Sequence, residues 1–384
     1  MQAIIIQQTK DMKPWEPILR SDTASTPFSG WGFLVGWLEA RSDTSRPFIV
    51  VVTDAQGATL AIAPWCITTE KDGLRRLTGI GGTDGWYHDP RLFKPDCGTA
   101  VAKKLVETLR QARRDWDVLD LLLRDAVSAP LMAALKGLGL GFSERIDWRQ
   151  QQTIRFTSDW PTYWSERPSQ LRNLVARRGK KLAGRPHRFF KVDAAMLTPY
   201  LETLFRLHRQ RWASERDWEP YYALIRTTVS EAQATGRLCF YGLEVDDQVI
   251  ALELLIRCEQ EAFELMRITN ASPQDEALSP GSLLTAWALS QLNADGVTAV
   301  NLGPGIQPWK SSLETERTAS ARCLVLRPSI VPRAVLTRWD LLKPHLRALP
   351  GMRRVIETLR PAPLPSGSCS LGSMRDRRIH QGLS

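Results

Sequence analysis

The pattern of apolar and polar positions predicts the same series of elements twice along the chain. In the first half, the β-branched runs 48–53 and 58–64 flank a turn and predict a hairpin. In the second half, 238–245 and 249–256 predict another. After each hairpin come a strand, a loop rich in Gly, Asp and Pro, a helix and a buried strand. The strand is 74–80 in the first half and 262–269 in the second, the helix is 99–114 and 281–294, and the buried strand is 118–123 and 297–302. Two related α/β units are predicted, with two unrelated α/β domains as the alternative.

Three helices are predicted ahead of the second hairpin. Leu171, Leu174, Val175 and Leu182 lie at helical spacing and predict an amphipathic helix that is interrupted at Gly179. A second apolar stripe runs from Leu201 to Trp212 and includes His208, and a third helix is expected over 221–235.

Length and composition bound the class of protein. At about 150 residues per domain, 384 residues suit two domains, with a junction near 158, so we expect domains at 1–158 and 159–328 and a basic extension with a disordered tail over 329–384. No apolar run approaches the roughly 18 residues of a membrane helix, and the first residues lack the pattern of a secretory signal. The six cysteines are dispersed, so neither a metal site nor a disulfide framework is predicted, and a cytoplasmic location is expected.

Positive charge is concentrated in one block near mid-chain. The chain has 51 basic and 41 acidic residues, and the segment 167–191 contains nine basic residues and no acid: Arg167, Arg172, Arg177, Arg178, Lys180, Lys181, Arg185, Arg188 and Lys191. Three interpretations stay open: the block flanks the phosphates of a cofactor, it binds RNA, or it is a solvated face. The absence of an aromatic residue before Phe189 weakens single-strand binding.

Two loops of the second half are candidate ligand sites. The segment Ser279-Pro-Gly-Ser-Leu-Leu opens a helix, whose free N–H groups suit a phosphate; an ordinary capped helix explains it equally well. The segment 301–313 leaves a buried strand and turns through two Gly and two Pro, as α/β ligand loops do, and Lys310 is its one cation.

These motifs resemble the CelD/BioF2-like acyltransferases of the GNAT superfamily, which are close in build to the FemAB peptidyltransferases. The resemblance covers about residues 20–325 and rests on the order of elements and on the segments 170–182, 207–212, 279–284 and 305–310. It implies an α/β fold of two tandem GNAT domains, with mixed sheets flanked by helices, the first domain degenerate. The usual GNAT phosphate loop, Arg/Gln-x-x-Gly-x-Gly/Ala, is absent, and 279–284 takes its place.

The resemblance also implies an activity and its partners. Acyl-CoA, with acetyl-CoA as the expected form, would bind the second domain at Ser279, Gly281, Ser282, Leu283 and Arg172. The acyl group would pass to an amine or hydroxyl of a small molecule or saccharide in polysaccharide or envelope metabolism. Two alternatives stay open: a FemAB-like transferase that uses aminoacyl-tRNA, and a non-catalytic GNAT-like binding protein.

Acyl transfer needs a base, a stabilised oxyanion and a held acceptor, and each has a candidate. Glu253 is a lone carboxylate in an apolar strand, where burial would raise its pKa; a cross-strand pair with Arg267 is the structural alternative. Lys310 would contact phosphate or the reacting carbonyl, and His208 is a second base candidate or a core histidine. The acceptor candidates lie in one loop and in a proposed cleft: Asp84, Trp86, His88, Asp89 and Trp309.

Overall fold

A computed structural model describes residues 1–20, 26–81, 90–145, 150–212, 218–270, 272–318, 320–330 and 341. The strands up to residue 145 are β1 (Gln2–Ile6), β2 (Ser45–Pro47), β3 (Ile49–Thr53), β4 (Thr59–Ala63), β5 (Trp65–Thr69), β6 (Arg75–Gly79), β7 (Arg91–Leu92), β8 (Val118–Arg124) and β9 (Leu140–Arg145). The α-helices of this part are α1 (Glu16–Arg20), α2 (Trp31–Glu39), α3 (Gly98–Gln111) and α4 (Asp125–Leu135).

The remaining described residues form a second set of strands and helices. The strands are β10 (Gln151–Arg155), β11 (His187–Lys191), β12 (Leu238–Val245), β13 (Gln248–Cys258), β14 (Glu261–Thr269), β15 (Ala299–Pro304), β16 (Glu316–Thr318) and β17 (Ser320–Leu326). The helices are α5 (Trp160–Ser165), α6 (Ser169–Leu182), α7 (Leu197–Trp212), α8 (Glu219–Ala234), α9 (Pro273–Glu276), α10 (Pro280–Ala294) and α11 (Pro308–Ser311). Among the described residues, no helix combines the length and hydropathy needed to cross a bilayer.

The predicted elements are confirmed, with one correction. Both hairpins are present as antiparallel pairs, β3 with β4 and β12 with β13, and the helices predicted from apolar spacing are present as α3, α6, α7, α8 and α10. The predicted interruption at Gly179 is wrong, because α6 continues through this residue to Leu182. A single glycine costs a helix about 1 kcal/mol, which neighbouring turns can absorb.

Two extended segments of the first half bend, so that each provides one strand to each of two sheets. β2 and β3 are consecutive around Phe48, and β4 and β5 are consecutive around Pro64. The Phe48 N–H donates to the Trp65 carbonyl and the Ile80 N–H donates to the Pro64 carbonyl, so hydrogen bonding continues across both bends. The two sheets, β1-β3-β4-β7 and β2-β5-β6-β8-β17-β9, are therefore joined through these strands.

The sheet of the second half has the same strand order as the joined sheets of the first. Its order is β11-β12-β13-β14-β15-β10-β16. In both halves a parallel pair, β6 with β8 and β14 with β15, follows the antiparallel strands. This shared order, rather than residue identity, shows the internal repeat that the apolar pattern predicts.

The two halves exchange one strand each. β10 lies before the predicted junction at 158, yet it pairs with β15 and β16 of the second sheet. β17 follows β16 in the chain and pairs with β8 and β9 of the first half. The junction at 158 stays a prediction about the chain, but each sheet is completed by a strand from beyond it.

The second sheet separates two hydrophobic cores. Leu252 and Leu254 of β13 pack with residues of α2, α7 and α8 on one face. Ala251 and Leu255, which alternate with them, pack with residues of α10 on the other. Since side chains alternate along a strand, Glu253 lies on the α10 face.

Helix α2 of the first half packs closely on α8 of the second. A side chain at Gly32 would overlap Glu231, and a Cβ at Gly36 would lie 3.0 Å from Thr227 Cβ. The Gly32 N–H donates to the Glu231 carboxylate, which satisfies a free donor at the start of α2. The two helices therefore link the halves through backbone contact.

Candidate functional site

Strands β14 and β15 separate partway along their length and leave an opening between them. They pair in parallel from Glu261↔Ala299 to Phe263↔Asn301. β14 then continues to Thr269 and β15 to Pro304 without further pairing between them. Such an opening exposes strand-edge backbone groups in the interior of a sheet, where an extended ligand can hydrogen-bond to them.

Lys310 lies in this opening. Its Nζ donates to the carbonyls of Gly303 at 3.5 Å and Pro304 at 3.4 Å, both at the end of β15. Gly303 has φ +75°, a conformation that favours glycine, and turns the chain there. Burial lowers the pKa of Lys310 below its ordinary value, while the nearby Glu264 carboxylate acts in the opposite direction.

The exchanged strand β10 holds the segment that carries Lys310. The Gln152 side chain is fully buried; its Nε2 donates to Ser311 Oγ at 2.9 Å, and its Oε1 accepts from the Gln307 N–H at 3.1 Å. One amide therefore binds both ends of α11. The neighbouring Gln151 accepts from Asn301 Nδ2 at 2.9 Å and fixes the end of β15 in the same way.

A β-bulge in β14 brings two charged side chains to the α10 face. Leu254 pairs with Met266 but Leu255 pairs with Glu264, so Leu265 is an extra residue. Leu265 and Met266 both pack in the core on the opposite face. Glu264 and Arg267, three residues apart, would face opposite sides of a regular strand; the bulge puts them on one side, with Arg267 Nε 3.9 Å from Glu264 Oε1.

Glu253 and Arg267 are joined by a hydroxyl of α10. The two residues are paired across the strands, as the alternative interpretation of the sequence predicted. Arg267 Nη1 donates to Thr285 Oγ1 at 3.0 Å, so the hydroxyl proton is free to be donated to Glu253 Oε2, at 2.7 Å. Thr285 thus fixes both charged groups.

Burial controls the ionisation of the two carboxyls. Desolvation raises the pKa of Glu253, and the nearby Glu264 raises it further; Arg267 and the Thr285 hydroxyl act in the opposite direction. Desolvation also raises the pKa of Glu264, against the charges of Arg267 and Lys310. The burial expected for Glu253 is present, and it is the main cause of the raised pKa. Both groups hold protons more readily than exposed carboxyls do.

Trp309 covers Arg267 and forms one wall of a cavity. The guanidinium carbon of Arg267 lies 3.4 Å from the centre of the Trp309 ring, as in a cation–π contact. The cavity is bounded by α5 and α6 at Trp164 and Leu171, and by α10 at Ser282 and Thr285. Trp309 is therefore placed beside Arg267, Thr285 and Lys310.

The start of α10 lies at the edge of the same group. Ser279 is the N-cap and Pro280 the first helical residue, as predicted, but Ser279 has φ +51° and makes no capping hydrogen bond. The Gly281 N–H has no hydrogen-bond partner among the described residues. A Cβ at Gly281 would lie 3.1 Å from Thr269 and 4.0 Å from the Arg267 guanidinium. Ser282 lines the cavity, whereas Leu283 is buried in the core.

His208 is placed away from these residues, on the other face of the sheet. It lies in α7, which packs on the face of Leu252 and Leu254, and its Nδ1 is 2.9 Å from the Tyr222 hydroxyl. Trp218 packs edge-on against the ring at 4.6 Å. The four acceptor candidates Asp84, Trp86, His88 and Asp89 lie outside the described residues.

The basic residues of 167–191 divide into two groups that differ in their contacts. Four members make internal contacts: Arg167 binds the carbonyls of Leu313 and Glu314, and the other three pair with acids, as Arg185 with Asp246, Arg188 with Glu244 and Lys191 with Asp295. The other five lie on α6 and form no ion pair within the described residues: Arg172, Arg177, Arg178, Lys180 and Lys181. Arg172 Nε donates to the Arg167 carbonyl.

Three residues of this site were not singled out from the sequence. Thr285 is a polar residue within an otherwise apolar face of α10, and that exception was the available signal. The position of Glu264 could be predicted only with knowledge of the bulge, since regular alternation turns its side chain away from Arg267. Gln152 lies before the predicted junction, so its contact with α11 depends on the strand exchange.

Comparisons with known proteins show which fold and which domain family the chain resembles. Residues 169–311 match the acetyltransferase (GNAT) domain family. FemX shares the fold, with a TM-score of 0.58 and 10% identity over 88% of this chain and 100% of FemX. A protein of unknown function from Bacteroides thetaiotaomicron VPI-5482 gives 0.54 and 10%, over 84% of this chain and 100% of its own.

A tandem GNAT protein of the clavulanic acid pathway gives a TM-score of 0.44 and 13% identity, over 84% of this chain and 97% of its own. No curated protein sequence matches the chain. Residues 169–311 are thus similar to a GNAT domain, the chain shares the α/β fold of FemX, and the predicted GNAT-type fold class is confirmed.

Proposed function

We propose that the protein is an acyltransferase that moves an acyl group, in the first instance acetyl, from acyl-CoA to an amine or hydroxyl acceptor. The GNAT domain at 169–311 supports acyl transfer in general. The proposal is more specific in two respects, both taken from the resemblance of the sequence. The donor is acyl-CoA, and the acceptor is a small molecule or saccharide of polysaccharide or envelope metabolism.

The observation that carries the proposal is the position of Lys310 between the separated strands. A thioester held along the free edge of β14 would bring its carbonyl near a buried ammonium, and a cation in a desolvated site stabilises the negative charge that develops on that oxygen. In the transfer, the acceptor's nitrogen or oxygen bonds to the carbonyl carbon, the carbon–sulfur bond breaks, the acceptor loses a proton and the thiolate gains one.

The start of α10 fits the phosphates of an acyl-CoA. The unpartnered Gly281 N–H, the missing side-chain cap at Ser279 and the adjacent Arg267 together favour an anion there. Ser282 offers a hydroxyl, and Leu283 anchors the helix in the core. Arg172 on α6 is proposed as a further cation that binds these phosphates.

Glu253 is proposed as the base, acting through Thr285. Its carboxylate is 1% exposed and its Oε2 is occupied by the Thr285 hydroxyl, so the route for a proton is along that hydrogen bond. A raised pKa suits a group that takes a proton near neutral pH. His208, hydrogen-bonded to Tyr222 on the opposite face, stays a weaker candidate.

Binding and turnover with acetyl-CoA test the donor. We expect acetyl-CoA to raise the melting temperature and to change tryptophan fluorescence, because Trp309 lies at the site, and we expect thiol release with a panel of amine and saccharide acceptors. The matched control is adenosine in the same buffer, because adenosine lacks the phosphates of CoA. Absence of both binding and thiol release would reject acyl-CoA as the donor.

The five cations on α6 favour a second candidate, transfer from an aminoacyl-tRNA. They are not neutralised by acids within the described part of the chain, and they lie on the helix whose Leu171 lines the cavity. Binding of tRNA would then weaken steeply with salt, since each neutralised phosphate releases counterions. Thermal shift with tRNA at low and high salt distinguishes this candidate; silence toward both CoA and tRNA would favour a non-catalytic binding protein.

A further inference from the structure

Glu264 is a buried carboxyl that makes no hydrogen bond within the described part of the chain. The residue is 8% exposed, its Oε2 has no partner among the described residues, and its Oε1 lies 3.9 Å from Arg267 Nε, too far for a hydrogen bond. Buried polar groups of folded proteins are almost always hydrogen-bonded, because a charged group without a partner is costly. A buried carboxyl in this state points to a donor that comes from outside the chain.

The position of Glu264 gives such a donor a place to enter. Glu264 is the first residue of β14 beyond Phe263, where pairing with β15 ends, so it borders the opening between the two strands. Gly303 of β15 lies across this opening. A Cβ at Gly303 would lie 3.8 Å from the Glu264 carbonyl oxygen and 3.8 Å from Lys310 Nζ, and glycine leaves that space unfilled.

Glu264 and Lys310 carry opposite charges at this opening but do not form an ion pair. The ammonium of Lys310 is directed to the carbonyls of Gly303 and Pro304, at 3.5 and 3.4 Å. A group that enters between the two side chains can therefore donate to the carboxyl on one side and accept from the ammonium on the other. Acyl transfer presents both kinds of group together, a nucleophile with hydrogen to donate and a carbonyl oxygen that accepts.

We propose that Glu264 contacts the nucleophile of the acceptor and that this nucleophile is a primary amine. The thioester carbonyl then faces Lys310, as in the proposed function, and an N–H of the acceptor donates to Glu264. This inference rests on the proposed function, because it names the class of acceptor at the same site.

The number of hydrogens on the nucleophile favours an amine over a hydroxyl. A neutral primary amine has two: one leaves as the amide forms, and the other stays on nitrogen and can donate to Glu264 throughout. A hydroxyl has one, and an ester keeps none, so Glu264 would lose its donor during the reaction. A site built around a hydrogen bond discriminates strongly against a substrate that cannot make it. The proton that leaves still follows the route proposed through Thr285 to Glu253.

Matched acceptors that differ only in the reacting group test the acceptor class. The pairs are glucosamine with glucose and benzylamine with benzyl alcohol, and the measurement is thiol release from acetyl-CoA by the full chain. We expect kcat/KM for an amine to exceed that for its alcohol by at least about 100-fold. Equal values within a pair, or transfer to the alcohol alone, would overturn the proposal.

Variants assign the contact to Glu264. Glu264→Met is unbranched and similar in length, and it should lower kcat/KM for the amine at least about 100-fold while the KM for acetyl-CoA stays within about twofold. Glu264→Gln should retain part of the activity, because its amide oxygen still accepts a hydrogen bond. The control Glu202→Gln removes the same charge at an exposed position of α7 and should change neither constant. An unchanged kcat/KM in Glu264→Met, or a matching rise in the KM for acetyl-CoA, rejects the assignment.

Binding without turnover separates this inference from the proposed function. Each amine and its alcohol are titrated by calorimetry into the full chain with CoA present. We expect the wild type to bind the amine at least about tenfold more tightly than the alcohol, and Glu264→Met to bind both alike. This pattern in a chain that releases no thiol from acetyl-CoA would reject acyl transfer and retain the amine site. Equal binding of amine and alcohol by the wild type rejects the amine site, and this comparison needs no variant to fold.

Discussion

Thr285 shows how much one uncharged side chain can determine at this site. Its single hydroxyl accepts from Arg267 and donates to Glu253, and the residue is 1% exposed. Without the hydroxyl, a buried guanidinium and a buried carboxyl would each lose a partner that water cannot replace. Thr285 is therefore a positioning residue for both.

Thr285→Val tests this role, because valine keeps the shape and removes the hydroxyl. We expect a loss of about 1–3 kcal/mol in the free energy of unfolding, from the two unsatisfied groups. Thr285→Ser is the matched control and should retain most of the stability. Equal unfolding curves for the valine and serine variants would argue against a bridging hydroxyl.

Lys310 should matter to turnover far more than to stability. Lys310→Ala removes the buried ammonium from the opening between β14 and β15, and we expect kcat to fall by about 100-fold or more. The cost of desolvating the ammonium offsets much of what its contacts contribute, so stability should fall far less than turnover. Lys103→Ala, at an exposed position of α3, is the control. Unchanged kinetics in the folded Lys310→Ala protein would remove Lys310 from the site.

Glu253 makes stability depend on pH in a defined direction. Burial raises its pKa from 4.5 to about 7, so between these values the folded chain binds more protons than the unfolded chain. Stability from this group is complete below the lower value and is lost as pH rises through the higher one.

Relative to Glu253→Gln, the wild type should therefore lose up to about 3 kcal/mol between about pH 4.5 and about pH 8. Urea unfolding of both proteins at several pH values measures this difference. Parallel pH profiles would show that Glu253 does not titrate in this interval.

At the scale of elements, glycines mark where helices approach other backbone and where they do not. Gly32 of α2 faces Glu231 with no room for a side chain, whereas Gly179 of α6 has nothing within 4 Å of the place where a Cβ would lie. The same substitution should therefore have opposite effects at the two positions.

Gly32→Ala should destabilise the chain by about 2 kcal/mol or more, because α2 must move away from α8. Gly179→Ala should stabilise it by up to about 1 kcal/mol, since alanine is the better helix former at an open position. Thermal unfolding of both variants measures the two shifts. A loss of stability in Gly179→Ala would mean that α6 needs its glycine for another contact.

Helices and strands could be predicted from the sequence, because their apolar patterns are local. Contacts that depend on an irregular strand or on residues distant in the chain could not be predicted. The hairpins, α10 and the pairing of Glu253 with Arg267 follow from spacing and turn position. The bulge at Leu265 does not, because the apolar run of β14 looks the same with or without an extra residue. Thr285 lies on a separate helix, so only the folded chain brings it between the two charges.

At the scale of the whole molecule, the exchange of β10 and β17 joins the two halves more strongly than surface contact would. Each sheet contains a strand from the other side of residue 158, and this strand is hydrogen-bonded on both edges. Neither half can complete its hydrogen bonding alone, so the chain should unfold as one cooperative unit.

Fragments 1–158 and 159–384 test this dependence. Expressed separately, each should fail to give a cooperative unfolding transition, because one lacks β17 and the other lacks β10. Expressed together, they should associate, and gel filtration with circular dichroism would detect the complex. A cooperative transition for fragment 159–384 alone would show that its sheet does not need β10.

The strand exchange also determines the order in which the protein can be completed during synthesis. The first sheet remains without an interior strand until residues 320–326 have been made, although all of its other strands lie before residue 146. Domains that are continuous in sequence can fold on the ribosome from the N-terminus onward. For this chain the first half has to wait for the last part of the second, so the native fold and the Lys310 site are reached only after nearly the entire chain has been translated.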